Sequence, residues 1–193
     1  MEQISRFLNA FNFVTRENKL SRAGAFLFVF SVLHALPNFV LLFPGFGLDW
    51  YQAYADHMRG MRILPLIEGY LALSFFVHIW FAARAVLAKW SLGWLSVTGG
   101  FMLIFLSKHL IDFRFADLDA NPLTSLLPQQ LKPQKIFYAM GIAAASLHVL
   151  MAIRPAWFFA LDFRGTEISQ LIGITRLLLL VSTILYLVPL VVI

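Results

Sequence analysis

AGAFLFVFSVLHALPNF, residues 23–39, is an almost unbroken apolar run carrying one imidazole, His34, and one proline, Pro37. A helix rises 1.5 Å per residue, so about 20 such residues cross a bilayer. The run continues to residue 43, and four further segments have the same character: 63–84, 94–112, 136–153 and 170–193. The sequence therefore predicts an all-α, polytopic membrane protein with five transmembrane helices in a bundle. Only short loops are expected between the spans, so residues 1–193 read as one domain.

Composition agrees with this reading. Hydrophobic residues are 60% of the 193 and charged residues 13%, and mean hydropathy is +0.78. A soluble domain carries about twice that charged fraction. There is no cysteine. That excludes disulfides, thiolate zinc sites, iron–sulfur ligation by this chain and covalent c-type haem attachment. The net charge of +5 is expected to reflect basic loops on one membrane face, not nucleic-acid binding.

Residues 1–22 contain Arg6, Arg16, Lys19 and Arg22 and no apolar core of a cleavable signal. Ile4, Phe7, Leu8 and Phe11 recur at helical spacing, which predicts a helix lying on the membrane surface. The aromatic stretch 155–165 is expected at the interface too. Five spans place the termini on opposite sides. Nine Lys and Arg then fall on the N-terminal side and six on the other, which predicts the N-terminus inside.

Four histidines lie within spans, one on each of the first four: His34, His78, His109 and His148. Ionisable groups in spans are costly and usually functional. A lone one would read as a histidine bonded to a neighbouring helix. Depth argues otherwise. Counting rise along antiparallel spans places His34 and His109 at one level in the outer half and His78 and His148 at another in the inner half, about 11 Å apart. Two imidazoles at equal depth on different helices suit the two axial positions of a haem iron. The predicted metal ligands are thus His34 with His109 and His78 with His148. Gly24, Ser31, Gly69, Ser74, Gly99, Gly100, Ser107, Gly141 and the run 143–146 would leave room for a macrocycle, or would serve ordinary helix packing. The fifth histidine, His57, falls in a loop.

Haem propionates favour basic partners. Arg84, Lys89, Arg154 and Arg176 are candidates on the inner side, and Arg59, Arg62, Lys108 and Arg114 on the outer side, unless they are merely solvated. Lys108 and Asp112 are four apart and suited to pair. Glu68 lies about one turn inside its span. It reads as a proton relay for a quinone, as a partner of Arg62, or as a side chain reaching the surface. Quinone candidates are Glu68, Lys108 and Asp112 near the outer level, and Arg84 and Arg154 near the inner one. Pro37 is expected to kink the first span. No metalloprotease spacing, phosphate loop, dinucleotide fingerprint or nucleophile elbow is present.

The segments around the histidines resemble one family. AGAFLFVFSVLHALPNF, FFVHIWFAARA (75–85), TGGFMLIFLSKHL (98–110) and ASLHVLMAIR (145–154) are similar to the haem segments of the five-helix, di-haem cytochrome b membrane-anchor subunit of succinate:quinone oxidoreductases and fumarate reductases. The marks are Gly24 ten residues before His34, Arg84 after His78, Thr98 and Gly99 before His109, and Arg154 after His148. Val149 stands where the family often has glycine. The last span carries no family signature.

The resemblance implies two b haems and a quinone, menaquinone or ubiquinone. It implies a flavoprotein subunit and an iron–sulfur subunit as partners, in the respiratory complex II reaction of the tricarboxylic acid cycle. Dicarboxylate chemistry would belong to those partners. The expected location is a bacterial cytoplasmic or mitochondrial inner membrane, and a higher oligomer is left open. Alternatives are another di-haem b subunit serving a different dehydrogenase or hydrogenase, and a haem-free proton-coupled transporter component.

Overall fold

The computed structural model describes residues 9–14, 18–89, 93–116, 122–165 and 167–193. Helices α1 (Lys19–Ala35), α2 (Gly47–Gly60), α3 (Leu64–Lys89), α4 (Trp94–His109), α5 (Leu123–Ala152), α6 (Pro155–Ala160) and α7 (Glu167–Val192) follow in order, and no strand occurs among the described residues. Five stretches are long and apolar enough to cross a membrane: Lys19–Leu42, Leu64–Ala88, Trp94–Arg114, Leu123–Ala152 and Glu167–Val192.

Pro37 changes the helix type. It offers no N–H to the Leu33 carbonyl, and the Leu36 N–H takes that carbonyl instead, so α1 tightens into a 3-10 helix over Leu36–Leu42. At the end of α4 the chain loosens into one π turn, Leu110–Arg114.

Three features go beyond the sequence reading. The connection before α3 is not a loop. It holds α2, which turns Leu48, Tyr51 and Ala55 onto Leu123, Leu126 and Leu127 of α5. The Gln52 side chain accepts the free Leu123 N–H at 2.6 Å and so ties α2 to the start of α5. His57 accordingly lies on a helix, with its side chain exposed. Second, α5 begins thirteen residues before the expected start at 136. Pro128 and Pro133 lie inside it, and the helix absorbs both, bending at Gln134. Third, Phe39, Phe43, Phe46, Trp50 and Tyr54 form an exposed aromatic rim from the 3-10 helix into α2.

Ile4, Phe7 and Leu8 of the expected surface helix lie outside the described residues. Residues 9–14 pack into the protein, with Ala10 and Phe13 buried. Tyr70 of α3 donates to the Phe11 carbonyl at 3.0 Å. Arg22 is buried in α1 and reaches both the Asn9 carbonyl and Asp162, the latter at 2.6 Å. Trp157 of α6 donates to the Ser21 carbonyl at 3.2 Å. These bonds join the N-terminal segment and the 155–165 stretch to the start of α1. We call this end the near face and the opposite end, with α2, the far face.

The helices pack as two antiparallel pairs, α1 with α3 and α4 with α5, and α7 packs on both α1 and α5. Among the described residues, the backbones of α1 and α4, and of α3 and α5, make few close approaches. Within α4–α5 the approach is tight, since a Cβ at Gly141 would fall 2.1 Å from Phe105. The architecture is thus two close pairs with a gap between them.

Candidate functional site: two facing histidine pairs

The four intramembrane histidines meet across that gap. The His34 and His109 ring centres are 6.1 Å apart at an interplanar angle of 87°. Those of His78 and His148 are 6.2 Å apart at 70°. The pairing expected from depth is the pairing observed.

The levels are farther apart than the sequence count suggested. His78 lies against Gly24 and His148 against Gly99. His34 is ten residues beyond Gly24 and His109 ten beyond Gly99, so the two levels differ by about 15 Å along the helices. The difference arises because α1 starts at Lys19 while α3 runs on to Lys89, which places His78 level with the first turns of α1.

At the near-face level, both imidazoles are oriented by main-chain carbonyls. His78 Nδ1 lies 3.3 Å from the Leu20 carbonyl. His148 Nδ1 lies 3.1 Å from the Leu95 carbonyl and 3.1 Å from Thr98 Oγ1. A carbonyl only accepts, so each Nδ1 donates its proton. That leaves each Nε2 as a lone pair free to bind a metal. Thr98 donates its own hydroxyl proton to Trp94, at 2.8 Å, and its oxygen is thereby free to accept from His148. A Cβ at Gly24 would stand 3.2 Å from His78 Cε1, and one at Gly99 3.3 Å from His148 Cε1. Both glycines make room for an imidazole of the neighbouring helix.

The far-face level is built from aromatic rings. Phe30 stacks on His34 at 5.4 Å and 15°. Phe105 and Phe113 lie 6.0 and 5.2 Å from His109. His109 Nδ1 is buried without a hydrogen-bond partner among the described residues. His34 lies between α4 and α7, near His109 and Tyr186, yet its side chain carries exposed surface, as expected of a ring that faces a gap. Tyr186 of α7 donates to the Ser31 carbonyl at 2.6 Å, one turn before His34.

Beside this level, Asp112 is buried at 5% exposure. Lys108 holds one carboxylate oxygen, as its spacing suggested, and the Tyr138 hydroxyl donates to the other at 2.6 Å. Glu68 is not paired with Arg62. It receives two bonds from Arg114, at 2.7 and 2.9 Å. Both ion pairs draw on the π turn after His109. Of the other basic candidates, Arg62, Arg84, Arg154 and Arg176 are exposed, and Arg59 pairs with Asp56. Gly69 and Gly100, read as making space, have nothing within 4 Å of a β-carbon.

Leu20, Leu95, Tyr138 and Tyr186 were not singled out by sequence. Two act through backbone carbonyls, which leave no residue signature. The repeated glycine-to-histidine spacing of ten on α1 and α4 was the available signal.

The donor set fits haem. A metal–imidazole bond is about 2.0–2.1 Å, so two imidazoles on one iron have ring centres about 6.3 Å apart, close to both observed spacings. Groups of three or more metal-ligating side chains do not occur among the described residues, and an axially ligated macrocycle requires only two. No family model, curated protein or solved structure matches this chain.

Proposed function

We propose that the chain is the membrane-anchor cytochrome b subunit of a succinate:quinone oxidoreductase or fumarate reductase. The observation that carries this reading is the pair of imidazole couples, each at bis-histidine spacing and about 15 Å apart, across a gap between two close helix pairs. In this reading the five spans form one bundle domain in a bacterial cytoplasmic or mitochondrial inner membrane. The near face and the N-terminus lie inside, and the near face meets the iron–sulfur and flavoprotein subunits.

Haem b, when bound at the two levels, supplies reversible one-electron transfer. The chain's residues provide the setting. The Leu20 and Leu95 carbonyls hold His78 and His148 in the tautomer that presents Nε2, and a hydrogen bond at Nδ1 raises ligand basicity. Phe30, Phe105 and Phe113 line the His34–His109 level. Arg84 and Arg154 lie near the inner level, and Lys108 and Arg62 toward the outer one, as candidates for the propionates. Both carboxylates have both oxygens bonded, but Asp112 is buried at 5% exposure whereas Glu68 is 36% exposed beside Arg114 at 54%. We therefore assign proton exchange with menaquinone or ubiquinone to Glu68 ahead of Asp112.

Expression of the full chain with candidate partner subunits tests the assignment. Co-purification with a flavin-bearing and an iron–sulfur subunit, with b-type absorption reduced by succinate, is the expected result. A haem-bearing chain that co-purifies with a different dehydrogenase or a hydrogenase would replace this assignment with another di-haem b subunit.

A further inference from the structure

Helix α5 bends where Pro133 withholds an N–H and Gln134 leaves helical geometry at φ −120°, ψ 17°. The bend leaves a shallow, open notch on the surface of α5, lined by residues of that helix alone. Its lining is sorted along the helix. Lys132 and Lys135 stand toward the far face, and Ile136, Phe137 and Met140 continue toward the middle of the span. Ile136 is 77% and Met140 52% exposed. Tyr138 contacts His109. Counting from Tyr138, Lys135 lies about 4–5 Å and Lys132 about 9 Å nearer the far face. The lysines thus stand just before the apolar stretch 136–153. Neither takes part in an ion pair among the described residues.

We propose that this notch binds one anionic phospholipid of the far leaflet, with its phosphate between the Lys132 and Lys135 ammonium groups and an acyl chain along Ile136, Phe137 and Met140. Charge sign selects the headgroup, since an ammonium is a point-charge partner for phosphate. The apolar floor continuous with the lysines selects a lipid over a free anion, which would leave Ile136 and Met140 uncovered. The proposal rests on the five apolar spans and is independent of haem.

Full-length protein in nanodiscs of phosphatidylcholine with graded phosphatidylglycerol, released into mild detergent for native mass spectrometry, tests it. The expected result is one tightly retained phosphatidylglycerol. Its retention should weaken about 10- to 30-fold in the Lys132→Gln/Lys135→Gln double variant and persist in Lys132→Arg/Lys135→Arg. Millimolar inorganic phosphate should not displace it. Three results would each overturn the proposal: equal retention in the Gln double variant, equal retention of phosphatidylcholine by the unmodified chain, or displacement by inorganic phosphate. The comparison of the two lipids needs no mutation, so it decides even if the double variant fails to fold.

Discussion

Gly24 lies on the same helix as His34, yet its substitution is expected to damage the other histidine pair. A Cβ at Gly24 would stand 3.2 Å from His78 Cε1 and 3.3 Å from its Nδ1, inside ordinary contact. Gly24→Val adds two γ-carbons about 1.5 Å beyond that point, and the imidazole must move. Overpacking of this kind costs about 1–3 kcal/mol. The ring also gives up its bond to the Leu20 carbonyl, worth about 0.5–1.5 kcal/mol. Together the losses come to about 1.5–4.5 kcal/mol, or roughly 10- to 2,000-fold weaker haem retention at the His78–His148 level. Haem content and redox-titrated difference spectra of the purified variant read this directly. One of two b-type components should disappear, the same one that His78→Ala removes, while the component that depends on His34 persists. Gly24→Ala, which asks the ring to yield only a few tenths of an ångström, should retain both. If Gly24→Val removes the component that depends on His34, or leaves both intact, the assignment of the glycine to His78 is wrong.

Other outcomes follow from the same geometry. Tyr138→Phe leaves a buried Asp112 oxygen without its donor; a loss of about 1–3 kcal/mol is expected, read as a lower Tm in detergent. Arg22→Leu removes the tie between α1, Asn9 and Asp162; because Asp162 is half exposed and rehydrates, the cost should stay near 1–3 kcal/mol, with chymotryptic cleavage around Phe11 and Phe13 accelerated. Single and double replacement of Glu68 and Arg114 by Gln should show a coupling of no more than about 1 kcal/mol, given their exposure; Glu68→Gln should nevertheless slow quinone turnover in the assembled complex while leaving haem content unchanged.

What the sequence disclosed about this molecule divides along physical lines. Span number and histidine pairing depend on apolar length and a fixed rise per residue. Both are local quantities, and His34–His109 and His78–His148 come out paired as counted. The partner of Glu68 depends on how α3 packs against the turn after α4, 46 residues away, so Arg62 was nearer in sequence and Arg114 nearer in space. Gly24 reads naturally as belonging to His34, because only the antiparallel packing of α1 on α3 brings His78 to it. Pro128 and Pro133 both lie inside α5. Contacts of Leu126, Leu127 and Leu131 within the far-face cluster outweigh their local cost and keep α5 helical past the bend. Helix α2 has mixed composition and declares itself only through its buried side and the Gln52 bond to Leu123.

The central claim is that each imidazole couple holds one haem. Haem quantitation with redox-titrated visible and electron paramagnetic resonance spectra, run on the full chain beside His34→Ala and His78→Ala, tests it most directly. The account predicts two low-spin bis-histidine b haems per chain, with each variant losing a different one and retaining the other. Purified, folded chain without a bis-histidine spectrum, or two variants that lose the same component, would contradict it.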